Sequence, residues 1–292
     1  MLKRSWWAAT GVLALLTVVS GCGGGAPARP RTQAPPAQDT AAPGGTASTG
    51  ASPAAPGASD AAWAKWGLKP LPAAPPAPAD KPIKLTRTGQ VPVFSAVPTN
   101  DRVVFVTLDD GAEKDPKFVA MMNDLRVPFS MFLTRDIISG DYGYFKPLQA
   151  LGNHIQNHTV DHPVMSKASP EKQKSEVCDD QTALTREYGT PPLLFRPPYG
   201  DGAHTAALNS AVQACGPRAV VLWRETMQIH DMQYQTADKK LRPGDIVLAH
   251  FRGPKDLKGE TMTAMFGELL SRIQEQGFAV ARLEDYVAAP TG

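Results

Sequence analysis

The 292-residue chain has only three cysteines, few aromatic residues and no block of like charge. Lys and Arg number 30 while Asp and Glu number 28, so the formal net charge is only +2. Because nucleic-acid binding needs a basic surface that neutralises phosphates, this balance argues against a nucleic-acid partner. The most apolar stretch, residues 6–19, is shorter than the roughly 20 residues of a membrane-spanning helix. It is therefore too short to favour a membrane span.

The N-terminal residues have the order of charge, apolar run and small residues that marks a secretory signal. Two basic residues come first, the apolar run follows, and Ser20 and Gly21 stand directly before Cys22. A cysteine in this position is typical of bacterial lipoproteins, so we predict a signal peptide over residues 1–21 and lipidation of Cys22. The alternative is an ordinary cleaved signal with an incidental cysteine. Lipidation predicts an exported protein anchored to the outer face of the bacterial cytoplasmic membrane.

Residues 22–85 are dominated by Ala, Pro, Gly, Ser and Thr. Such a segment buries too little apolar surface to offset the entropy lost on ordering, so we predict a flexible tether over 22–85 and a catalytic domain over 86–292. Trp63 and Trp66 interrupt this composition, and they either dock on the domain or stay in the tether. Loss of the signal peptide removes two of the 30 basic residues, leaving 28 against 28 acidic ones, so the mature protein is near neutral.

The two remaining cysteines are Cys178 and Cys215. Outside the cytoplasm an even pair of cysteines is typical of a disulfide, which we predict here. Both residues lie in segments that indicate helices, so the bond would join two neighbouring helices. The alternative is a pair of buried free thiols, which behave as small apolar side chains.

Strand-like and helix-like segments alternate from about residue 86 onward. Apolar and β-branched runs predict strands at 103–107, 129–133, 193–195, 219–222, 246–249 and 278–281. Capping residues, prolines and glycines predict helices at 115–125, 145–151, 169–189 and 261–276. This alternation predicts one α/β domain with a parallel sheet, either an open doubly wound sheet or an incomplete barrel. In both folds, functional residues gather where the strands end.

Candidate catalytic residues stand directly after these predicted strands. Asp109 and Asp110 follow the first one, and two adjacent carboxylates stay ionised only beside a cation or an arginine; a plain turn is the alternative. His158 and His162 are four residues apart, and on a helical turn they would share one face and chelate one metal. One Asp with two His leaves a coordination position open, as in catalytic zinc sites.

Two further strand ends carry polar side chains. Arg196 begins an Arg-Pro-Pro-Tyr-Gly stretch after the third strand, where its guanidinium could point at the aspartates; a surface arginine on a rigid loop is the alternative. His250 ends another strand, and its imidazole needs little tuning to serve as a general acid. We predict structural roles for the remaining histidines, which are His154, His204 and His230.

Four motifs together resemble one known family. They are Thr-Leu-Asp-Asp-Gly at 107–111, His-Thr-Val-Asp-His at 158–162, Arg-Pro-Pro-Tyr at 196–199 and Leu-Ala-His at 248–250. The order is that of the polysaccharide deacetylase family, which is carbohydrate esterase family 4 with its NodB-homology domain. The resemblance covers roughly residues 100–285. It implies an α/β fold of the polysaccharide deacetylase type, an incomplete and distorted (β/α) barrel.

The resemblance implies a metal site and a set of catalytic groups. Asp110, His158 and His162 would hold one divalent metal, with Zn²⁺ expected and Co²⁺ or Ni²⁺ as alternatives. Asp109 would be the general base, oriented by Arg196.

The resemblance also implies groups that stabilise and protonate the reacting atoms. The backbone N–H of Tyr199 would stabilise the oxyanion, and His250 would protonate the leaving amine. Trp223 and Leu248 would wall the acetyl pocket.

The sequence departs from the family pattern in two places. Leu108 replaces the usual aromatic residue, and the stretch after Trp223 lacks the usual Asp-Trp pair, whose Asp orients the catalytic histidine. Asp231 or Glu225 would replace that Asp, or the role is vacant.

The implied activity is metal-dependent hydrolysis of N-acetyl groups on an acetylated polysaccharide, releasing acetate. We expect peptidoglycan as the substrate, with chitin-like oligosaccharides as the second choice, and a monomeric protein. The alternatives are an O-acetyl esterase on the same fold, a glycan-binding lipoprotein without turnover, and a metal-dependent amidase that acts on a small molecule.

Overall fold

The computed structural model describes residues 58–291. Cys22, the predicted signal peptide and the first part of the predicted tether lie outside the described residues, so these assignments remain predictions. Within the described range, no helix combines the length and the apolar character that crossing a membrane requires.

The described residues form a regular succession of strands and helices. The strands are β1 (Val93–Phe94), β2 (Val103–Asp110), β3 (Ser130–Leu133), β4 (His154–Asn157), β5 (Leu194–Phe195), β6 (Ala219–Val221), β7 (Glu225–Met227), β8 (Met232–Tyr234), β9 (Ile246–His250) and β10 (Ala279–Val280). The helices are α1 (Asp60–Lys65), α2 (Pro116–Leu125), α3 (Arg135–Ile138), α4 (Phe145–Ala150), α5 (Pro170–Tyr188), α6 (Ala206–Cys215) and α7 (Met262–Glu275). The strands and helices predicted from the sequence are all present, with bounds that shift by one to three residues.

The strands form one open, curled sheet. Their order is β1-β6-β5-β4-β3-β2-β9-β7-β8, and β10 pairs with the beginning of β2. Neighbouring strands run parallel except in the hairpin of β7 and β8. The edges β1 and β8 do not pair with each other in the described part of the chain, so the curl does not close. The predicted incomplete (β/α) barrel is confirmed.

Strand β2 lies at the centre of the sheet and is buried on both faces. Its residues 104, 106 and 108 pack in the cluster beneath α2 and α7, whereas Val103 and Phe105 pack in a second cluster inside the curl. Because successive side chains of a strand alternate between faces, the inward row continues with Thr107 and Asp109. The strand therefore carries an apolar core at its beginning and a polar site at its end.

The segment before residue 86 contacts the domain. Trp63 of α1 is buried against the cluster beneath α2, and the indole N–H of Trp66 donates to the carboxylate of Asp124 at 2.9 Å. Ile83 and Leu85 lie in the cluster inside the curl. The Trp63 and Trp66 segment thus docks on the domain, and packing begins upstream of the boundary predicted at residue 86.

Helix α5 begins and ends where its sequence indicates. The Ser169 side chain accepts from the backbone N–H of Lys172, Pro170 is the first helical residue, and Gly189 ends the helix with a φ of 76°. A disulfide bond joins Cys178 of α5 to Cys215 at the end of α6, as the sequence predicted. The bond closes a loop between residues 37 positions apart.

We predict that the Cys178→Ser/Cys215→Ser variant unfolds at a lower temperature than the wild type. Loss of a disulfide that closes a loop of this size costs about 2–4 kcal/mol. In a domain of this size, that cost lowers the Tm by about 5–10 °C. Thermal unfolding without reductant measures the difference. Reduced wild-type protein is the matched control and should melt with the variant; equal melting of the variant and the oxidised wild type would contradict the prediction.

Candidate active site

The site begins at the end of β2, where two adjacent carboxylates point in the same direction. Strand alternation alone would turn Asp109 and Asp110 to opposite faces. Asp110 has a left-handed backbone with a φ of 72°, and Gly111 follows with a φ of 93°. Both carboxylates consequently approach His158, whose Nε2 lies 3.5 Å from Asp109 Oδ2 and 3.6 Å from Asp110 Oδ1.

Arg196 lies beneath the carboxylates and is completely buried. Its Nη1 donates to Asp109 Oδ1 at 2.6 Å and to the Thr107 hydroxyl at 2.9 Å. Its Nε donates to the Val221 carbonyl at 3.0 Å, and the guanidinium lies 4.1 Å from the centre of the Phe132 ring. The structure thus brings Arg196 to Asp109 and fixes the orientation of that carboxylate.

The two predicted histidine ligands lie on an irregular loop after β4. The helical turn that their spacing suggested is wrong, because Thr159 and His162 have positive φ values of 73° and 60°. This left-handed backbone still brings the imidazoles together. His162 Nε2 lies 3.3 Å from Asp110 Oδ1, and the centres of the two imidazole rings are 5.0 Å apart.

Asp110, His158 and His162 fit a divalent metal. Their nearest ligand atoms all lie within 4.8 Å of one another, and the buried Asp110 Oδ1 has no hydrogen-bond partner among the described residues. His158 Nδ1 lies 2.7 Å from the Arg196 carbonyl oxygen, which can only accept, so this contact assigns the proton to Nδ1. The lone pair of Nε2 is then directed at Asp110, in the arrangement usual for a metal-binding histidine.

Charge and burial shift the pKa values of all three candidate ligands. Burial raises the pKa of Asp110, but the nearby imidazoles of His158, His250 and His162 outweigh it and hold that pKa well below its ordinary value. Burial lowers the pKa of His162. Against the lowering effect of burial, the charges of Asp109 and Asp110 raise the pKa of His158. Metal binding therefore competes with protonation of the imidazoles and weakens as the pH falls.

His250 ends β9, in register with Asp109 on β2. Burial lowers the pKa of His250 to about 4, and the charges of Asp109 and Asp110 offset only part of this effect. His250 borders a cleft of about 550 Å³. The β7–β8 hairpin and the loop after β9 form the other walls of the cleft.

Within the described residues, neither Glu225 nor Asp231, the two candidates for the missing family Asp, hydrogen-bonds to His250. Glu225 is buried beside Asp245, and burial together with that second carboxyl raises the pKa of Glu225. Asp245 precedes β9, at the end remote from His250. Asp231 is exposed at the tip of the hairpin and borders the same cleft, but no hydrogen bond joins it to His250 in the described residues. The structure leaves this role vacant.

The predicted substrate-binding residues lie around the ligands. Tyr199 is 67% exposed, has a φ of 61° and places its ring centre 4.8 Å from that of His162. Its backbone N–H donates to no protein acceptor within residues 58–291. The Trp223 ring centre lies 5.5 Å from the Arg196 guanidinium, and Leu248 shares the inward face of β9 with His250.

The structure brings further charged residues to the site that the sequence did not single out. Arg252 Nη2 lies 3.8 Å from Asp110 Oδ2. The sequence could have indicated Arg252, because it follows His250 by two residues. Glu176 and Asp180 contact the backbone of the histidine loop. The sequence could have indicated these two residues, because they are acidic, one turn apart and within the buried stripe of α5. The three histidines predicted as structural, His154, His204 and His230, are exposed and contribute no ligand to this set.

Comparisons with known proteins identify relatives. A family model described as polysaccharide deacetylase matches residues 96–220. An uncharacterized protein of Streptomyces coelicolor is 39% identical over 197 residues, which cover 67% of this chain and 77% of the relative. A peptidoglycan-N-acetylglucosamine deacetylase of Bacillus cereus is 26% identical over 194 residues, covering 62% of this chain and 86% of the relative.

Solved structures share the fold. A pseudoenzyme of carbohydrate esterase family 4 from Bacillus anthracis superposes with a TM-score of 0.55 at 16% identity, over 68% of this chain and 70% of that one. A peptidoglycan N-acetylglucosamine deacetylase superposes with a TM-score of 0.55 at 20% identity, over 68% of this chain and 93% of that one. Because these identities are low, the likeness is one of fold.

We predict that the wild-type protein retains about one Zn²⁺ per chain after loading and desalting, and that the His158→Ala/His162→Ala variant loses it. The variant removes two of three ligands and leaves one carboxylate, which binds too weakly to survive desalting. Elemental analysis measures the content. His154→Ala/His204→Ala is the matched control and should keep its metal. Equal metal content in the ligand variant and the wild type would contradict the assignment.

Proposed function

The chain belongs to the polysaccharide deacetylase family, and from this premise we propose that it hydrolyses N-acetyl groups on a cell-wall polysaccharide and releases acetate. The observation that carries the proposal is the convergence of Asp109, Arg196 and His250 on the Asp110, His158 and His162 set at the strand ends. Peptidoglycan is the first candidate substrate, since relatives include peptidoglycan deacetylases. Chitin-like oligosaccharides are the second, since a chitooligosaccharide deacetylase of Bradyrhizobium is also related.

Asp110, His158 and His162 would hold the divalent metal, for which we propose Zn²⁺. When bound, such an ion lowers the pKa of a water molecule and polarises a carbonyl oxygen. Asp109 accepts the proton of the attacking water. Arg196 fixes one oxygen of that carboxylate by a 2.6 Å bond and leaves the other, Oδ2, facing the histidine loop. One carboxylate oxygen is thus anchored while the other stays available as the base.

The remaining groups act on the acyl carbon and on the leaving nitrogen. The unpaired N–H of Tyr199 donates to the oxyanion that develops during attack, and a single donor of this kind contributes about 3 kcal/mol in other hydrolases. His250 delivers a proton to the leaving amine from the end of β9, the strand next to β2. Trp223 and Leu248 exclude water around the acetyl methyl group.

One observation favours a second candidate, an O-acetyl esterase. Burial lowers the pKa of His250 to about 4, and no carboxylate hydrogen-bonds to its imidazole among the described residues. An imidazole that is neutral at pH 7 is a poor proton source for an amine, which leaves only when protonated. An ester needs less help from an acid, so the same site would cleave O-acetyl groups more readily.

We predict that the wild-type protein releases acetate from N-acetylated peptidoglycan fragments and that a chelator stops the release. The Asp109→Asn variant should keep its metal and lose activity by at least about a hundredfold, because an amide of the same size cannot accept the proton. Acetate quantification on metal-loaded protein measures this.

Asp101→Asn is the matched control, since Asp101 is an exposed carboxylate just before the same strand β2. It should retain wild-type turnover. Substantial acetate release by a metal-loaded Asp109→Asn variant would assign the base to another residue. No release by the wild type on any acetylated glycan would contradict the deacetylase proposal.

We predict that His250→Ala damages amide hydrolysis about tenfold or more beyond its effect on an activated aryl acetate. The aryloxide that leaves an activated aryl acetate needs little protonation, whereas the sugar amine needs a proton to leave. The ratio of kcat/KM values on the two substrates, measured across pH, provides the readout. Equal losses on both substrates would show that His250 binds or orients substrate instead of donating a proton.

A further inference from the structure

Helix α5 directs two buried carboxylates at the loop that carries the metal-binding histidines. Glu176 and Asp180 stand one helical turn apart, and neither side chain is exposed to solvent. The mechanism proposed above uses neither of them. A helix face that only packs on a domain carries apolar residues, because burying a carboxylate is unfavourable unless polar groups meet it. Their burial therefore requires polar groups that meet them.

Glu176 pairs with Lys172, whose Nζ lies 2.5 Å from Glu176 Oε1, and both acidic side chains meet the backbone of the loop that carries the two ligands. Glu176 Oε2 accepts from the N–H of Val160 at 2.8 Å and from the N–H of Asp161 at 3.1 Å. Asp180 Oδ2 accepts from the N–H of His158 at 3.1 Å. Two acidic side chains of one helix thus accept from three backbone N–H groups of the loop, those of His158, Val160 and Asp161.

The loop needs such support because its own backbone is unfavourable. Thr159 and His162 have the left-handed φ values that non-glycine residues rarely adopt. Such residues persist only when their surroundings fix them. The side chains of Glu176 and Asp180 together accept from three backbone N–H groups of this loop, so they are suited to fix its conformation.

Helix α5 is itself held firmly enough to position the loop. Cys178, which lies between the two carboxylates, is bonded to Cys215 of α6. The side-chain amide of Asn157 donates to the Val177 carbonyl at 2.9 Å, which ties the end of β4 to the same stretch of helix. The carboxylates therefore act from a fixed support.

We infer that Glu176 and Asp180 are positioning residues that hold the loop from His158 to His162 in the conformation that places both imidazoles beside Asp110. They act through backbone N–H groups and touch neither the ligand nitrogens nor the substrate. The affinity of the site for its metal depends on them. This inference rests on the metal site of the proposed function.

The test is the Kd for Zn²⁺, measured by competition with a chromophoric chelator. Glu176→Ala removes the acceptor of two N–H groups and should weaken binding by about tenfold to a hundredfold, as loss of residues that orient metal ligands does elsewhere. Glu176→Gln keeps an acceptor oxygen and should recover most of the affinity. Asp179→Asn, an exposed carboxylate on the same helix, is the matched control and should bind like the wild type.

A second readout separates positioning from general stability. Circular dichroism identifies a temperature at which every variant is folded. At that temperature, the visible spectrum of the Co²⁺ form reports the geometry of the ligands. A changed Co²⁺ spectrum in folded Glu176→Ala or Asp180→Ala supports the inference. If Glu176→Ala does not fold, Asp180→Ala is compared with Asp180→Asn, which keeps an acceptor oxygen.

Two results would overturn the inference in distinguishable ways. Folded Glu176→Ala and Asp180→Ala variants with the wild-type Kd and Co²⁺ spectrum would leave the two side chains with a purely structural role, while the metal site would stand. Absence of Zn²⁺ binding in the wild type would instead remove the metal site itself and the proposed function with it.

Discussion

The buried ion pair between Arg196 and Asp109 is the interaction on which the rest of the site depends. A completely buried guanidinium is unfavourable unless polar groups meet it, and here one carboxylate, one hydroxyl and two main-chain carbonyls accept from its three nitrogens. These partners come from β2 and from the end of β6, while the arginine itself follows β5. The pair therefore joins three strands across the interior of the curl. Removal of either partner would leave an unpaired buried charge, at a cost of about 3–5 kcal/mol.

The location of the site followed from the sequence because polar residues stood directly after apolar runs. The proximity of Asp109, Arg196 and His250 could be predicted from one rule, which is that the carboxyl ends of parallel strands meet at the same edge of a sheet. The structure brings the three residues together there. The incomplete barrel itself was not distinguishable from an open sheet by alternation. It came from the resemblance carried by the motifs.

The features that could not be predicted depend on backbone conformation or on contacts distant in sequence. The spacing of His158 and His162 indicated a helical turn, yet left-handed residues bring the rings together, and periodicity contains no signal for a positive φ. The docking of Trp63 depends on α2, far along the chain, so a Pro- and Ala-rich composition could not show it. Proximity in sequence suggested Asp231 as the partner of His250, but the hairpin of β7 and β8 carries it to an exposed tip.

The left-handed backbone at the site has an evolutionary consequence. Seven non-glycine residues among residues 58–291 have a positive φ, and four of them lie in or beside the candidate metal-binding set: Asp110, Thr159, His162 and Tyr199. Each such residue costs about 1–3 kcal/mol that the scaffold must offset. Substitutions that relax this backbone would stabilise the fold while dispersing the candidate ligands, so selection for stability alone leads away from this arrangement. A lineage released from the need for the site would therefore keep this barrel and lose the arrangement of the side chains first.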